Sequence, residues 1–214
     1  MILNTKYTIH FPMSKKYTHK KTIRCPWVGD DARMQIYHDT VWGRPKKNDI
    51  EIFEAIVLDT NQAGLSWKCI LHKRDNFAKA FCDFDPAKIA KFGARDSARL
   101  MKDAGIIRNR LKIAATIENA KRFLEIQKEF GGAKKNGFAK YIWSFTGGKT
   151  IVGTPRSLKD YHTHSRESDA MSADMKKRGF TFVGTTICYA FMQGIGMVSD
   201  HTADCFLSRN NRYK

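Results

Sequence analysis

Ala104-Gly105-Ile106-Ile107-Arg108-Asn109-Arg110 is a short, glycine-containing stretch between two segments with helical periodicity. Such a turn exposes backbone N–H groups at the start of the second helix. Those groups, together with the helix dipole, suit a phosphate. Arg108, Arg110 and Lys112 add positive charge beside Gly105. An ordinary corner between two helices is the alternative, and the pattern alone does not separate the two.

Apolar residues repeat with helical spacing on both sides of this turn. The stripes are Ile50, Phe53, Val57 and Leu58 after an Asn48 cap, then Trp67, Ile70, Leu71 and Phe77, and finally Ile113, Ile117, Ala120 and Leu124. Pro86 after Asp85 predicts the start of a further helix. The glycines at 131 and 132 predict the end of the long one.

Two segments, 131–137 and 146–168, are rich in Gly, Ser, Thr and Lys and are predicted as loops. A last helical block is predicted from about 169 to 196. No alternating strand pattern persists along the chain. We therefore expect an all-α fold, a helical bundle in two lobes.

The charge is strongly asymmetric, with 38 basic and 21 acidic side chains and a formal net charge of +17. Lys and Arg release condensed counterions from phosphates, so the simplest partner for this charge is a nucleic acid. A merely basic protein, or one that contacts anionic lipid, is the alternative. The charge favours a helix-hairpin-helix clamp on the DNA backbone at 104–110 over a plain corner.

No apolar run is long enough to cross a bilayer, and the first two dozen residues contain no signal-peptide pattern. We expect a cytoplasmic protein without a membrane partner. Residues 1–23 carry lysines and no acidic residue, and they predict a flexible basic arm, either phosphate-binding or without function. The main domain is expected over 24–208, with a basic tail over 209–214.

Five cysteines are present, and an odd number without a secretion signal argues against a disulfide framework. Cys25 and His38 lie near the start of the ordered chain, whereas His201 and Cys205 lie near its end. A Cys2His2 set suits tetrahedral zinc in a structural site. The spacing is not that of a common zinc finger, so buried cysteines and satisfied histidines are the default at this point.

Aromatic residues flank a lone acid. Asp59 and Asn61 precede the turn Leu65-Ser66 and then Trp67, and Tyr37 and Trp42 flank His38. A nucleobase flipped out of the duplex needs flat apolar walls and one or two groups that read its edge. A base methylated on a ring nitrogen is cationic and stacks well on Trp or Tyr. The alternative is that these aromatic residues fill the core.

These same residues carry a family resemblance. The chain resembles the 3-methyladenine DNA glycosylase I family from about residue 24 to 205. The matching motifs are Cys25-Pro26-Trp27-Val28, Tyr37-His38-Asp39 with Trp42-Gly43, Gln62 to Trp67, Asp103 to Arg108, Lys176 to Phe180, Phe182 to Tyr189, and Asp200-His201 with Cys205. Together these motifs are highly specific.

The resemblance implies a helix-hairpin-helix glycosylase fold in which structural Zn²⁺ joins the chain ends. The implied ligands are Cys25, His38, His201 and Cys205. The implied activity is base-excision repair, in which 3-methyladenine is flipped out of alkylated double-stranded DNA and its N-glycosidic bond is hydrolysed. We expect a monomer.

The implied base pocket contains Tyr37, Trp42, Trp67 and the acid at position 59, with Asn61 beside it. We expect Asp59 to read the base edge and stabilise developing positive charge. The turn at Leu65-Ser66 is predicted either to fill the gap left by the flipped base or to be a simple connector.

The chain departs from the family pattern at three positions in the pocket region. Asp59 stands where the family usually carries Glu, Val41 where Glu is common, and Asn61 where Gln is usual. A shorter carboxylate changes its distance to the base, and such displacements matter in catalysis. The alternative is therefore a lesion-binding homologue with a different alkylated-purine substrate or no excision activity.

Overall fold

The computed structural model describes residues 22–208. The basic tail expected over 209–214, and all but the last two residues of the arm expected over 1–23, lie outside this range. Within residues 22–208, no helix has the length and apolar composition needed to span a bilayer.

The described chain is mostly helical, and the all-α prediction is confirmed. Its α-helices are α1 (Ala32–Thr40), α2 (Asp49–Gln62), α3 (Trp67–Ala80), α4 (Pro86–Ile89), α5 (Ala94–Lys102), α6 (Arg110–Glu129), α7 (Gly137–Ser144), α8 (Arg166–Lys177) and α9 (Thr185–Gly194). Short 3-10 helices occur at Pro26–Val28, Cys82–Phe84, Ala133–Lys135 and Leu158–Asp160.

Helix starts follow the capping residues in the sequence. The Asn48 side chain accepts hydrogen bonds from the backbone N–H groups of Ile50 and Glu51, and Asp85 caps α4 in the same way. Asn109 caps α6 by accepting from two backbone N–H groups in its first turn. These caps satisfy N–H groups that a helix start leaves unpaired, which is why the starts predicted at Asn48 and Asp85 were correct.

The last helical block differs from the prediction, because it forms two helices. The chain leaves α8 at Lys177, and Gly179 and Phe182 adopt left-handed backbone conformations before α9 begins. Two lysines followed by a glycine are a helix-stop signal inside the predicted block. A further helix, α7, lies between the two segments predicted as loops.

Two strands of two residues each, β1 (Ile151–Val152) and β2 (Val198–Ser199), pair in parallel. Strands this short leave no alternating pattern in the sequence. Their pairing attaches the loop after α7 to the segment that leads to His201.

The main core forms around α2 and α6. Phe123 of α6 packs against Phe53 of α2, with ring centroids 4.8 Å apart, and against Phe138 of α7 at 4.1 Å. The Asp49 carboxylate, at the start of α2, accepts hydrogen bonds from the backbone N–H groups of Phe138 and Ala139. These contacts hold α2 at its N-terminal end.

A smaller cluster joins the two ends of the described chain. Cys25 and Val28 pack with Tyr37 and Trp42 and with Cys205 near the C-terminus. This cluster lies against one end of α3, through Leu71 and Trp67. It is the element of the fold that brings the predicted metal ligands and aromatic residues together.

The predicted role of Lys112 in phosphate binding is wrong. The sequence assigned it to phosphate binding, but the side chain is only 6% exposed. Its ammonium donates hydrogen bonds to the carbonyl oxygens of Asn61 at 2.7 Å and Ala63 at 2.6 Å. A cation suits the carbonyls that a helix C-terminus leaves unpaired. Lys112 therefore holds the C-terminal end of α2 rather than a phosphate.

We predict that Lys112→Met lowers the free energy of unfolding by about 2–3 kcal/mol, because charge-assisted hydrogen bonds are lost and buried carbonyls lose their donor. Urea unfolding followed by circular dichroism measures this. Arg110→Met, at an exposed position two residues earlier, is the control and should change stability by less than about 0.5 kcal/mol. An unchanged unfolding midpoint for Lys112→Met would contradict the assignment.

Candidate active site and metal site

A cavity of about 590 Å³ opens beside the smaller cluster. It is lined by several residues that the sequence analysis singled out, which are Tyr37, Trp42, Asp59, Ser66 and Trp67. It is also lined by residues that the sequence analysis did not single out as cavity residues, among them Trp27, Met34, Gln62, Tyr161 and Gln193. Its volume is that of a typical small-molecule site.

Asp59 lies on the last turns of α2 and is only 5% exposed. Within the described chain no group donates a hydrogen bond to its carboxylate, which lines the cavity. Burial raises the pKa of Asp59 to about 7, and the positive charge of Lys46 partly opposes this shift. A buried carboxylate without a donor is rare unless it awaits a ligand.

Two rings stand beside this carboxylate. Tyr37, near the end of α1, and Trp67, the first residue of α3, have ring centroids 5.0 Å apart at an interplanar angle of 46°. Burial raises the pKa of Tyr37 well above its usual value, and the neighbouring Asp59 raises it further. The phenol therefore stays neutral and acts as an apolar wall with a polar tip.

Gly194 keeps this part of the cavity open. A Cβ atom at Gly194 would lie 3.5 Å from the Tyr37 hydroxyl and 3.9 Å from Asp59 Oδ2. The end of α9 therefore passes close to both groups, and a larger side chain there would contact them directly.

Asn61 and Val41 do not line the cavity. The Asn61 amide donates to the Val57 carbonyl at 2.8 Å and to the Thr116 hydroxyl at 3.3 Å, inside the helix packing. Val41 packs at the edge of the smaller cluster. The predicted contact between Asn61 and the base is therefore not retained, because this polar side chain is satisfied elsewhere.

The four predicted metal ligands lie together. The ligand atoms of Cys25, His38, His201 and Cys205 are all within 4.8 Å of one another, and the four residues are buried. His201 Nδ1 lies 3.6 Å from each sulfur, and His38 Nε2 lies 3.5 Å from Cys205 Sγ. Residues 201–208, which carry two of these ligands, form turns.

The outer contacts of this group suit a metal. His38 Nδ1 pairs with Asp39 Oδ1 at 2.8 Å, and Arg24 donates three hydrogen bonds to the Asp39 carboxylate. Such a carboxylate orients a histidine so that its other nitrogen faces a metal. The hydrogen bond with Cys205 lowers the pKa of Cys25, and a lowered thiol pKa favours the thiolate form that binds a metal. These residues could hold a metal ion.

The metal ligands and the cavity share a wall. The Trp42 ring lies 4.8 Å from the His201 ring, and Trp27 lies 5.0 Å from Trp42 and 5.5 Å from His38. Both tryptophans line the cavity. The position of that wall therefore depends on the geometry of the Cys–His group.

The predicted backbone-binding turn lies between α5 and α6. Arg108 and Arg110 are exposed, and Gly105 approaches Asn76 so closely that a Cβ atom would lie 2.9 Å from the Asn76 Cβ. Leu65 follows the left-handed Gly64 and is 42% exposed, although it is apolar. Ser66 caps α3 through its hydroxyl.

Comparisons with known proteins identify the family of the chain. The model of the methyladenine glycosylase family matches residues 27–208. The DNA-3-methyladenine glycosylase of Haemophilus influenzae is 45% identical over 184 residues, which cover 86% of this chain and 97% of that protein. DNA-3-methyladenine glycosylase 1 of Escherichia coli is 44% identical over 191 residues, covering 88% and 98%.

Solved structures give the same result. A crystal structure of 3-methyladenine DNA glycosylase I has a TM-score of 0.83 at 44% identity, and the match covers 87% of this chain and all of that one. A variant of such an enzyme in complex with 3-methyladenine has a TM-score of 0.80 at 32% identity, covering 85% and 95%. The chain therefore belongs to the methyladenine glycosylase family.

Proposed function

We propose that this protein removes 3-methyladenine from alkylated DNA by hydrolysing the bond between base and sugar, as the first step of base-excision repair. The observation that carries the proposal is the buried, unpaired Asp59 carboxylate in an aromatic cavity. The relatives at 44–45% identity are DNA-3-methyladenine glycosylases. The alternative of a lesion binder without excision activity is not favoured.

Asp59 supplies the electrostatics of the reaction. The glycosidic bond of a methylated adenine is weak, because the base departs neutral from a cation. A carboxylate in a cavity with little water stabilises the positive charge that develops as this bond stretches. Since no group among residues 22–208 donates a hydrogen bond to Asp59, its charge is available for the substrate.

Aromatic rings hold the flipped base. Tyr37 and Trp67 stand beside Asp59, and Trp42 forms part of the wall shared with the Cys–His group. A cationic base stacked on such rings gains about 1–2 kcal/mol when desolvated. Neutral adenine lacks this attraction, so the cavity favours the methylated base.

Double-stranded DNA is bound on the side of the α5–α6 turn. Gly105, Arg108 and Arg110 contact the phosphate backbone, and the net charge of +17 favours the encounter. The exposed Leu65, supported by Ser66, fills the gap that the flipped base leaves. The protein acts as a monomer in the cytoplasm.

Zinc is the metal that suits the Cys–His group. Tetrahedral bonds of about 2.3 Å to sulfur and about 2.0 Å to nitrogen set neighbouring sulfur and nitrogen atoms about 3.5 Å apart. The separations of 3.5 and 3.6 Å between these atoms fit that geometry. Four protein ligands form a closed, structural site, and the ion supplies the bonds that join the chain ends.

We expect Asp59→Asn to lower the rate of 3-methyladenine release from methylated duplex DNA at least tenfold, which corresponds to roughly 1.4 kcal/mol of barrier. Mass spectrometry of the released bases measures the rate. Asp30→Asn, which changes an exposed carboxylate at the mouth of the same cavity, is the matched control and should keep release within about twofold. Equal release by Asp59→Asn and wild type would remove Asp59 from the mechanism.

The pKa of about 7 for Asp59 predicts the pH dependence of the same measurement. The carboxylate is ionised above this pKa, so release by wild type should rise between pH 6 and 8, and release by Asp59→Asn should not.

The pKa of Asp59 in the folded state lies above its value in the unfolded state, so ionisation of Asp59 destabilises the fold. The stability gained by Asp59→Asn should therefore grow from about pH 4 to about pH 7 and level off above that. A pH profile shared by wild type and variant would contradict this.

For the DNA contact, Arg108→Ala should weaken binding evenly across sequences and reduce the slope of log K against log salt by about one. Fluorescence anisotropy with unmodified duplexes at several salt concentrations measures the slope. Arg166→Ala, an exposed arginine on α8 and outside the turn, is the control. A slope identical to that of wild type would assign the turn to the plain helical corner.

For the metal, elemental analysis of purified protein should give about one zinc ion per chain. Removal by a chelator should lower the melting temperature, because the metal bonds join the two ends of the fold. Cys69→Ser changes a cysteine outside the cluster and should leave both values unchanged. A zinc content near zero, with stability insensitive to chelator, would refute the assignment.

A further inference from the structure

The loop between β1 and α8 forms one wall of the cavity through Leu158 and Tyr161. It is attached at its start, where Gly153 N donates to Ser199 O at 3.1 Å and the Pro155 carbonyl accepts from Ala203 N at 2.9 Å. Its outer turn is held only by local hydrogen bonds to Asp160. These anchors leave the position of Tyr161 to be set by its own contacts.

Tyr161 packs against the smaller cluster, which contains Cys25 and Cys205. Its hydroxyl is buried, and it makes no hydrogen bond within the described chain. The indole N–H of Trp27 and the hydroxyl of Thr202 are unpaired and buried as well. Three unpaired polar atoms therefore lie near one predicted metal ligand. Tyr161 and Trp27 pack against the cluster that contains Cys25, and Thr202 N donates to the Cys25 sulfur.

Buried polar groups almost always have a partner, so the unpaired Tyr161 hydroxyl calls for an acceptor. A base in the cavity is a poor candidate, because this oxygen is closed off from solvent even when the cavity is empty. The sulfur of Cys25 is the better candidate. Tyr161 packs against the cluster that contains Cys25, and Thr202, whose backbone N–H donates to the Cys25 sulfur, carries another of the unpaired atoms.

A hydroxyl beside a metal-bound thiolate has a defined role. The thiolate keeps lone pairs after it binds a metal, and hydrogen bonds from neighbouring donors hold the ligand in place. Cys25 already accepts one such bond, since Thr202 N lies 3.4 Å from its sulfur. The phenolic O–H is a second donor that comes from a distant part of the chain.

We propose that the Tyr161 hydroxyl donates a hydrogen bond to the metal-bound Cys25 sulfur, and that this bond fastens the 153–165 loop to the metal site. Tyr161 is thus a positioning residue that links metal binding to the shape of the cavity wall. The inference rests on the structural zinc proposed above.

The test compares Tyr161→Phe with wild type in the full-length, zinc-loaded protein. Competition with a chromophoric chelator should show zinc affinity reduced about tenfold, the usual effect of losing a partner of a metal ligand. In the cobalt-substituted protein, the sulfur-to-metal charge-transfer band should shift. Trypsin should cut the zinc-loaded variant after Lys159, on the exposed turn of the loop, faster than it cuts wild type.

Tyr141→Phe is the matched control. The Tyr141 hydroxyl donates to Asp174 Oδ2 at 2.8 Å, away from the metal ligands. Its loss should lower stability and leave zinc affinity and the cobalt spectrum unchanged. Tyr161→Phe, in contrast, removes a hydroxyl with no partner in the metal-free fold, so the metal-free variant should unfold at or above the wild-type temperature.

Wild-type zinc affinity and an unchanged cobalt spectrum in Tyr161→Phe would overturn the proposal. Weaker binding of free 3-methyladenine with unchanged zinc affinity would also overturn it, and would assign the hydroxyl to the base. A wild-type protein without zinc would refute it together with the metal site. Failure of the glycosylase proposal is distinguishable, because none of the metal measurements uses DNA.

Discussion

The burial of one carboxylate without a hydrogen-bond donor is the constraint on which this structure depends. Ionised Asp59 is costly in such a place, as its raised pKa shows, and its position is fixed by α2. α2 is held at both ends, by Asp49 against the start of α7 and by Lys112 at its last carbonyls. The phenylalanines between α2, α6 and α7 fix its middle.

The Cys–His group organises the other side of the cavity. It brings together residues that lie more than 160 positions apart in the chain, and it supports the two tryptophans of the shared wall. Asp39 pairs with His38 and with Arg24, and these contacts connect the Cys–His group to the protein surface. The cavity thus lies between α2, which carries the Asp59 carboxylate, and the smaller cluster, which carries the aromatic rings. α2 therefore sets the position of the negative charge, and the smaller cluster sets the positions of the aromatic rings.

Much of this could be predicted from the sequence, because capping residues and helical spacing act locally. Asn48 and Asn109 mark their helix starts, and the resemblance places four ligands that pattern alone left open. The roles of Lys112 and Asn61 could not be predicted. A basic residue beside a turn and an amide beside an acid resemble site residues, and only tertiary packing shows that both bind backbone carbonyls.

The hydrogen bonds of Lys112 also connect two segments of the fold, the start of α6 and the end of α2. Lys112 lies two residues beyond the α5–α6 turn. Its ammonium donates a hydrogen bond to the Ala63 carbonyl, just before the exposed Leu65 and Trp67, the first residue of α3. The α5–α6 turn and the segment that carries Leu65 are thereby joined through a single side chain. A displacement of the start of α6 therefore also displaces the donor on which the last carbonyls of α2 depend.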